Sequence, residues 1–195
     1  MPSPVTALLD ANVLYSNHLR NLLLQMAQND VFDVKWSSII EDEWLRNMEP
    51  TTRERIASKT IPLIRTWFED AFVEGFDPNR EIGKTDPKDR HVASAAAAVA
   101  PSKLVTLNTK HFDFAALADL GVAVQTPDEF LCGLFDGNPE LIEAVTREAA
   151  TNLSRTLPSW DEYLTALSER HGLPKFVGRL RSPTIVEQPT GPVVP

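Results

Sequence analysis

The stretch Val5-Thr6-Ala7-Leu8-Leu9-Asp10 is a short apolar run that ends in a carboxylate. Its length and its β-branched residues favour a buried strand. Three similar runs follow, at residues 32–36, 104–106 and 122–126, and helical patterns separate them. Strands that alternate with helices predict a parallel sheet covered on both faces, so the expected fold class is α/β.

The helix starts are predicted from residues that cap the first turn. Ser16 is a candidate N-cap for the helix after the first strand. Ser38 and Glu41 have the spacing of a capping box and predict a second helix start. After a polar loop at residues 75–85, Asp86 is expected to cap a third helix, with Pro87 at its first position.

The chain has 195 residues, which suits one domain with an appendage. The alternating pattern occupies residues 1–130 and predicts the main domain. Residues 131–182 contain only helical patterns and predict a helical C-terminal extension. Residues 183–195 contain four prolines and no core pattern, so a disordered tail is expected there.

The composition excludes several classes of protein. Hydrophobic residues make up 43%, which is a globular proportion. The net charge of −8 argues against a large surface for non-specific nucleic-acid binding. Metal ions held by carboxylates can still bind a phosphate group. The single Cys132 excludes an intrachain disulfide and a thiolate zinc site. With no secretory signal and no long apolar run, a cytoplasmic protein without a membrane anchor is expected.

Two acidic residues stand where an apolar residue is expected. Asp10 follows the first strand directly, at the edge of a parallel sheet where ligands bind, although an Asp that turns the chain is a plain alternative. At 100° per residue, Glu43 falls between Ile39 and Ile40, inside the apolar stripe of its helix. A carboxylate in such a place needs a metal, a proton or an arginine partner.

A third acid and an amide repeat this pattern. Asp89 heads a helical face that continues with Val92 and a series of alanines, although a first-turn acid that favours the helix dipole is an alternative. Asn108 follows the third strand closely, where a simple turn is the alternative. If these residues converge with Asp10 and Glu43, oxygen ligands without cysteine suit Mg²⁺ or Mn²⁺.

Four segments together resemble a PIN domain, specifically the VapC-type ribonuclease toxins of bacterial toxin–antitoxin pairs. They are residues 8–14 (LLDANVL), 36–47 (WSSIIEDEWLRN), 86–93 (DPKDRHVA) and 104–112 (LVTLNTKHF). Each motif is weak alone, but their order and spacing fit over roughly residues 4–130. The resemblance implies a PIN-like α/β/α sandwich, followed by the helical extension that some of these toxins carry.

The resemblance also implies an activity and partners. It implies an endoribonuclease that uses Mg²⁺ or Mn²⁺ to activate water and leaves a 5′-phosphate and a 3′-hydroxyl. RNA is the implied substrate, a cognate antitoxin protein the implied inhibitor, and a homodimer the implied assembly. The target RNA is not implied, since such toxins cut several kinds of RNA.

The family's acids fall on particular residues of this chain. By resemblance, Asp10, Glu43 and Asp89 hold the metal, and Asn108 is a further catalytic residue with Thr106 as its support. The family often has another Asp just before the Phe of this last element, and here that position is His111. Asp113 follows the Phe instead and is expected to support the site.

Other interpretations remain open at the level of sequence. A PIN fold kept as a non-catalytic RNA- or protein-binding module is the main alternative, and a phosphohydrolase acting on small phosphates is another. The two histidines beside these motifs, His91 and His111, are expected to be hydrogen-bonded or surface residues rather than ligands. A basic cluster in the extension offers either a contact for RNA or an acidic partner, or simply solvated helix ends; its members are Arg170, His171, Lys175, Arg179 and Arg181.

Overall fold

The computed structural model describes residues 4–157 and 159–182, and a parallel four-stranded sheet lies at its centre. The strands are β1 (Val5–Leu9), β2 (Phe32–Lys35), β3 (Ser102–Val105) and β4 (Val122–Gln125). Their order in the sheet is β2-β1-β3-β4. The predicted α/β class is confirmed, and so is each of the four predicted strands to within two residues.

Helices flank this sheet and form the whole C-terminal part of the described chain. They are α1 (Ala11–Tyr15), α2 (Asn17–Gln28), α3 (Ser38–Arg46), α4 (Pro50–Arg55), α5 (Ile61–Trp67), α6 (Arg90–Ala98), α7 (Phe114–Ala118), α8 (Pro127–Gly137), α9 (Pro139–Thr151), α10 (Trp160–His171) and α11 (Pro174–Arg181). A π-helical turn, Ile56–Thr60, joins α4 to α5, and a short 3₁₀ turn, Thr109–His111, follows β3.

The sheet is buried on both faces. Ala7, Leu8 and Leu9 are consecutive residues of β1, and all three are fully buried. Since side chains alternate between the two faces of a strand, burial of three in a row requires cover on both sides. This continuous apolar run is the reason that the sequence predicts a central parallel strand rather than a half-exposed one.

The strand order reverses between β1 and β3, because β2 lies beyond β1 and β4 beyond β3. In open parallel sheets, ligands bind at the carboxyl ends of the two strands that flank such a reversal. Leu9 of β1 pairs with Val105 of β3, and the Asp10 N–H donates to the Val105 carbonyl at 3.1 Å. The residues that follow these strands, Asp10 and Thr106, therefore lie side by side.

The predicted helix starts are partly confirmed. Ser16 caps α2, since its hydroxyl accepts the Leu19 N–H. The capping box at Ser38 is wrong: Ser37 is the N-cap of α3, and its hydroxyl accepts the N–H of Ile40. The third start is also wrong by one turn, because residues 87–89 form a turn and α6 begins at Arg90.

The C-terminal helices share one hydrophobic core with the sheet. Gly172 ends α10 in a left-handed conformation, and α11 follows at once, within the range where a helical extension is predicted. Asp128 of α8 caps it by accepting the N–H groups of Lys175 and Phe176. The predicted boundary at residue 130 falls inside α8, so the division into two domains stays a prediction, and the predicted tail lies outside the described residues.

Within the described ranges, no helix combines the length and the apolar character that a membrane crossing requires.

Candidate functional site

Asp10 is the centre of the candidate site. It follows β1 and is only 3% exposed. Its Oδ2 accepts a hydrogen bond from the Thr106 hydroxyl at 2.6 Å and another from the Asn12 side-chain amide at 2.6 Å. Thr106 is fully buried, and its oxygen also accepts the Asn108 N–H at 3.0 Å. These contacts fix a carboxylate at the carboxyl edge of the sheet.

The electrostatics of Asp10 show that other acids are near it. Burial raises the pKa of Asp10 from 3.8 to about 6, because the ionised form loses its hydration. The hydrogen bond from Thr106 lowers the pKa, whereas the charges of Glu43 and Asp89 raise it. Glu43 and Asp89, which belong to separate elements of the fold, therefore lie close enough to Asp10 for their charges to act on it.

Glu43 reaches this region from α3, but the burial predicted for it is wrong. Its side chain is 42% exposed, and Ile39, which was placed in the apolar stripe, is exposed too. The buried face of α3 instead contains Ile40 and Trp44, which are four residues apart. The stripe is thus centred one residue later than the sequence analysis assumed, and Glu43 lies at its margin. Its Oε2 is 3.2 Å from Nε2 of His91.

Glu41 is the buried acid of α3. It is only 2% exposed, and it forms an ion pair with Arg65 of α5, a residue 24 positions later in the chain. The sequence predicts a capping-box role for Glu41 and allows an arginine partner for Glu43. The structure contains such an ion pair, but Arg65 forms it with Glu41 and not with Glu43.

Asp89 lies beside two further groups that could bind a metal. Ligand atoms of Asp86, Asp89 and His111 all lie within 4.8 Å of one another. Asp89 is the N-cap of α6 rather than a residue one turn inside it, and its Oδ2 is 3.0 Å from Nδ1 of His111. The Asp86 N–H donates to the His111 carbonyl at 2.8 Å, which ties the two loops together.

The other predicted site residues have different surroundings. Asn108 is exposed at the start of the 3₁₀ turn, next to the Thr106–Asp10 pair. Asp113 caps α7 and accepts the N–H groups of Lys84 and Ala116, which hold the pKa of its carboxyl below the ordinary value. Both of its oxygens are used in this way, so Asp113 supports the loop that precedes Asp86 rather than the acids themselves.

Asp86, Asn12 and His111 belong to the candidate site but are not predicted for it from the sequence. Asp86 was explained entirely as a helix cap, although it lies outside the helix. Asn12 follows Asp10 by two residues and carries no periodic signal. His111 was expected to be hydrogen-bonded, and it is, but its position in place of an expected Asp was the signal that it could act as a ligand.

The basic cluster of the extension is partly neutralised by its own helices. The Arg179 guanidinium donates two hydrogen bonds to the carboxylate of Asp136, at 2.8 and 3.0 Å. Arg181 lies 3.7 Å from Asp161. The geometry favours the plainer of the two interpretations, in which these cations stabilise helix ends.

The fold and the site together define an α/β protein with a buried carboxylate at the strand reversal of a parallel sheet and further acids near it. Among known families, residues 127–182 match the family described as the VapC50 C-terminal domain. This match covers the helices from α8 to α11 and does not include Asp10, Glu43 or Asp89. No curated protein and no solved structure gives a significant match to the chain.

Proposed function

We propose that this protein is a metal-dependent endoribonuclease and the toxin of a VapC-type toxin–antitoxin pair. The observation that carries the proposal is the buried Asp10 at the strand reversal, held by Thr106 and Asn12, with two further acids close enough to act on it. Glu43 from α3 and Asp89 before α6 both raise the pKa of that carboxyl. The match of the C-terminal helices to the VapC50 C-terminal domain supports the same proposal from a separate part of the chain.

The residues present fit a divalent cation. Asp86, Asp89 and His111 bring ligand atoms within 4.8 Å of one another, and Asp10 and Glu43, which are not part of that group, would add oxygen ligands that suit Mg²⁺ or Mn²⁺. A cluster of like charges around a carboxyl group is costly without a counter-charge, and a cation supplies one. When bound, such a cation lowers the pKa of a water molecule and neutralises the charge that develops on a phosphate.

The remaining residues have positioning roles in this proposal. Thr106 and Asn12 hold Asp10 in one orientation through Oδ2. Thr106 also holds the backbone of Asn108, whose exposed amide is available to the substrate or to the attacking water. Because polar groups of this kind are already oriented, no free energy is needed to reorganise them when the substrate binds.

The proposal includes an RNA substrate, a cognate antitoxin and a homodimer, all in the cytoplasm. The antitoxin follows from the match to a VapC-type domain; the substrate and the dimer follow from the resemblance of residues 4–130 to PIN domains. The rival is a PIN-like fold that binds RNA or protein without cutting it. The two differ in a measurable way, because the rival predicts no cation binding that depends on Asp10.

The test compares purified wild type, Asp10→Asn and Asp89→Asn on a mixed RNA substrate with Mg²⁺, with Mn²⁺ and with EDTA. We expect each variant to lose at least about 100-fold in cleavage rate, as removal of a metal ligand does. Asp42→Asn is the matched control, because Asp42 is an exposed acid on α3. Circular dichroism confirms that all variants fold. Full activity in both site variants, or activity in EDTA, would contradict the proposal.

A second experiment identifies the substrate. RNA ends are sequenced after brief expression of the wild type and of Asp89→Asn in cells. New ends that require Asp89 locate the cleaved RNA, whereas identical ends in both samples count against a nuclease.

A further inference from the structure

Glu43 is the exposed member of the three acids, and it differs from the other two in how it is held. Asp10 is fixed by Thr106 and Asn12, and Asp89 is held at the start of α6 beside His111. Glu43 has a longer side chain that is 42% exposed. A glutamate of this kind has several rotamers open to it, and it loses entropy when it is confined to one.

His91 is the residue that contacts Glu43. It lies in the first turn of α6, two residues after Asp89, and its side chain is only 14% exposed. The helix beneath it is tightly packed, since Val92 and Ala93 are fully buried. The His91 ring therefore offers a donor whose position is set by the core, opposite a carboxylate that lies near the surface.

The contact also joins two elements that reach the site from different parts of the chain. The helix α3 packs on α1, whereas α6 packs on β1 and β3. The Nε2 of His91 lies 3.2 Å from the Oε2 of Glu43; because an ionised carboxylate can only accept, the bond requires the tautomer with a proton on Nε2. Without this bond, repulsion from the charges of Asp10 and Asp89 favours rotamers in which Glu43 points away from them.

We propose that His91 is a positioning residue that holds Glu43 at the cation site. The bond occupies one oxygen of the carboxylate and leaves the other for a cation. Residues that hydrogen-bond to metal ligands typically change metal affinity 10- to 100-fold when they are lost. This inference rests on the proposed function, since it requires Glu43 to be a ligand, but it concerns a residue that the proposed function does not use.

The test measures the dissociation constant of Mn²⁺ by calorimetry on the full chain. We expect His91→Leu to weaken binding about 10- to 100-fold. In His91→Gln, the side-chain amide nitrogen lies about as far from the backbone as Nε2 of the imidazole and can also donate. The Mn²⁺ dissociation constant of this variant should remain within about 3-fold of the wild-type value. His18→Leu is the matched control, because His18 stacks on His171 of α10 and makes no contact with the acids. Thermal unfolding of each variant shows whether the protein is folded at the temperature of the titration.

A double-mutant cycle separates positioning from a merely structural role. If His91 acts through Glu43, then His91→Leu should change the Mn²⁺ dissociation constant less than about 2-fold when Glu43→Ala is already present. Effects that add fully, or wild-type affinity in His91→Leu, would overturn the inference while leaving the proposed function intact. Failure of Glu43→Ala to weaken binding removes Glu43 as a ligand and overturns the inference as well. If Mn²⁺ binding to wild type does not depend on Asp10, the proposed function fails and this inference fails with it.

Discussion

The Thr106 hydroxyl donates a hydrogen bond of 2.6 Å to Oδ2 of Asp10, although the two residues are 96 positions apart in the chain. They meet because each follows one of two paired strands, and the pairing of Leu9 with Val105 sets them side by side. The register of the sheet thus supplies both the carboxylate and its donor. A shift of one residue in this register would turn one of the two side chains to the opposite face.

The first prediction concerns this donor. Thr106→Val keeps the shape of the buried side chain but removes the hydroxyl, so Asp10 loses a hydrogen bond to its ionised form. Hydrogen bonds to charged groups contribute about 1.5–3 kcal/mol, which corresponds to roughly 10- to 150-fold in cation affinity. We expect Mn²⁺ binding and RNA cleavage to weaken by this factor in Thr106→Val. Thr106→Ser, which restores the hydroxyl, should recover most of both, and equal behaviour of the two variants would contradict the role.

The second prediction concerns the stability of the metal-free protein. The pKa of Asp10 is about 6 in the folded protein, whereas the ordinary value of 3.8 applies to the unfolded chain. Between these values the folded protein holds a proton that the unfolded chain has released. The free energy of unfolding therefore falls as the pH rises from about 4 to about 6, and each pKa unit corresponds to about 1.4 kcal/mol, or about 3 kcal/mol in total.

Asp10→Asn removes this titration and keeps the side-chain shape. In EDTA, we expect the variant to be more stable than wild type above pH 6, and the difference to shrink toward pH 4. Denaturation with urea at several pH values measures it. If the free energy of unfolding depends on pH in the same way for both proteins, ionisation of Asp10 does not destabilise the fold as predicted. Mn²⁺ should stabilise the wild type above pH 6 and leave Asp10→Asn unchanged.

The residues of α3 show how far the sequence could be interpreted. The four strands were predictable because a buried parallel strand is a continuous apolar run, and this signal is local. The orientation of α3 was not, because Ile39 and Ile40 allow two directions of the apolar stripe, and the choice depends on Trp44 and on Arg65. The partner of Glu41 is 24 residues away and is brought to it only by the packing of α5.

Asp86 and His111 give the same lesson at the site. They come together because the Asp86 N–H donates to the His111 carbonyl, a contact between two loops with no regular pattern. The edge of the sheet was predictable from Asp10, since the end of a parallel strand is a known place for ligands. The side chains that loops bring to this edge were not, because their positions depend on the backbone contacts of the folded chain.

The third prediction separates the two glutamates of α3. Glu41 is buried with Arg65 as its partner, so Arg65→Leu leaves a carboxylate without its counter-charge. We expect Arg65→Leu to lower the free energy of unfolding by about 1–3 kcal/mol, at the lower end because Arg65 itself is half exposed. Arg53→Leu, at an exposed position of α4, is the control and should change stability by less than about 0.5 kcal/mol.

The same comparison extends to activity. Below the unfolding transition, Arg65→Leu should cleave RNA at the wild-type rate, because the Glu41–Arg65 pair joins α3 to α5 and is not part of the candidate site. Glu43→Gln should behave in the opposite way, with nearly unchanged stability and a rate that is lower by at least about 10-fold. A stability loss in Glu43→Gln with normal cleavage would show that the roles of the two glutamates are reversed.

The fourth prediction concerns the choice of cation. His111 offers an imidazole nitrogen beside Asp86 and Asp89. Mg²⁺ is held almost wholly by oxygen ligands, whereas Mn²⁺, a first-row transition metal, also binds at sites with mixed nitrogen and oxygen ligands. We therefore expect wild type to bind and use Mn²⁺ better than Mg²⁺, and His111→Asp to move the preference toward Mg²⁺ by about 10-fold.

Lys110→Gln is the control, since it changes the charge of the same turn by one unit without altering a ligand atom. An equal shift in both variants would mean that charge, rather than the nitrogen of His111, sets the preference. No shift in either variant would mean that His111 is not a ligand.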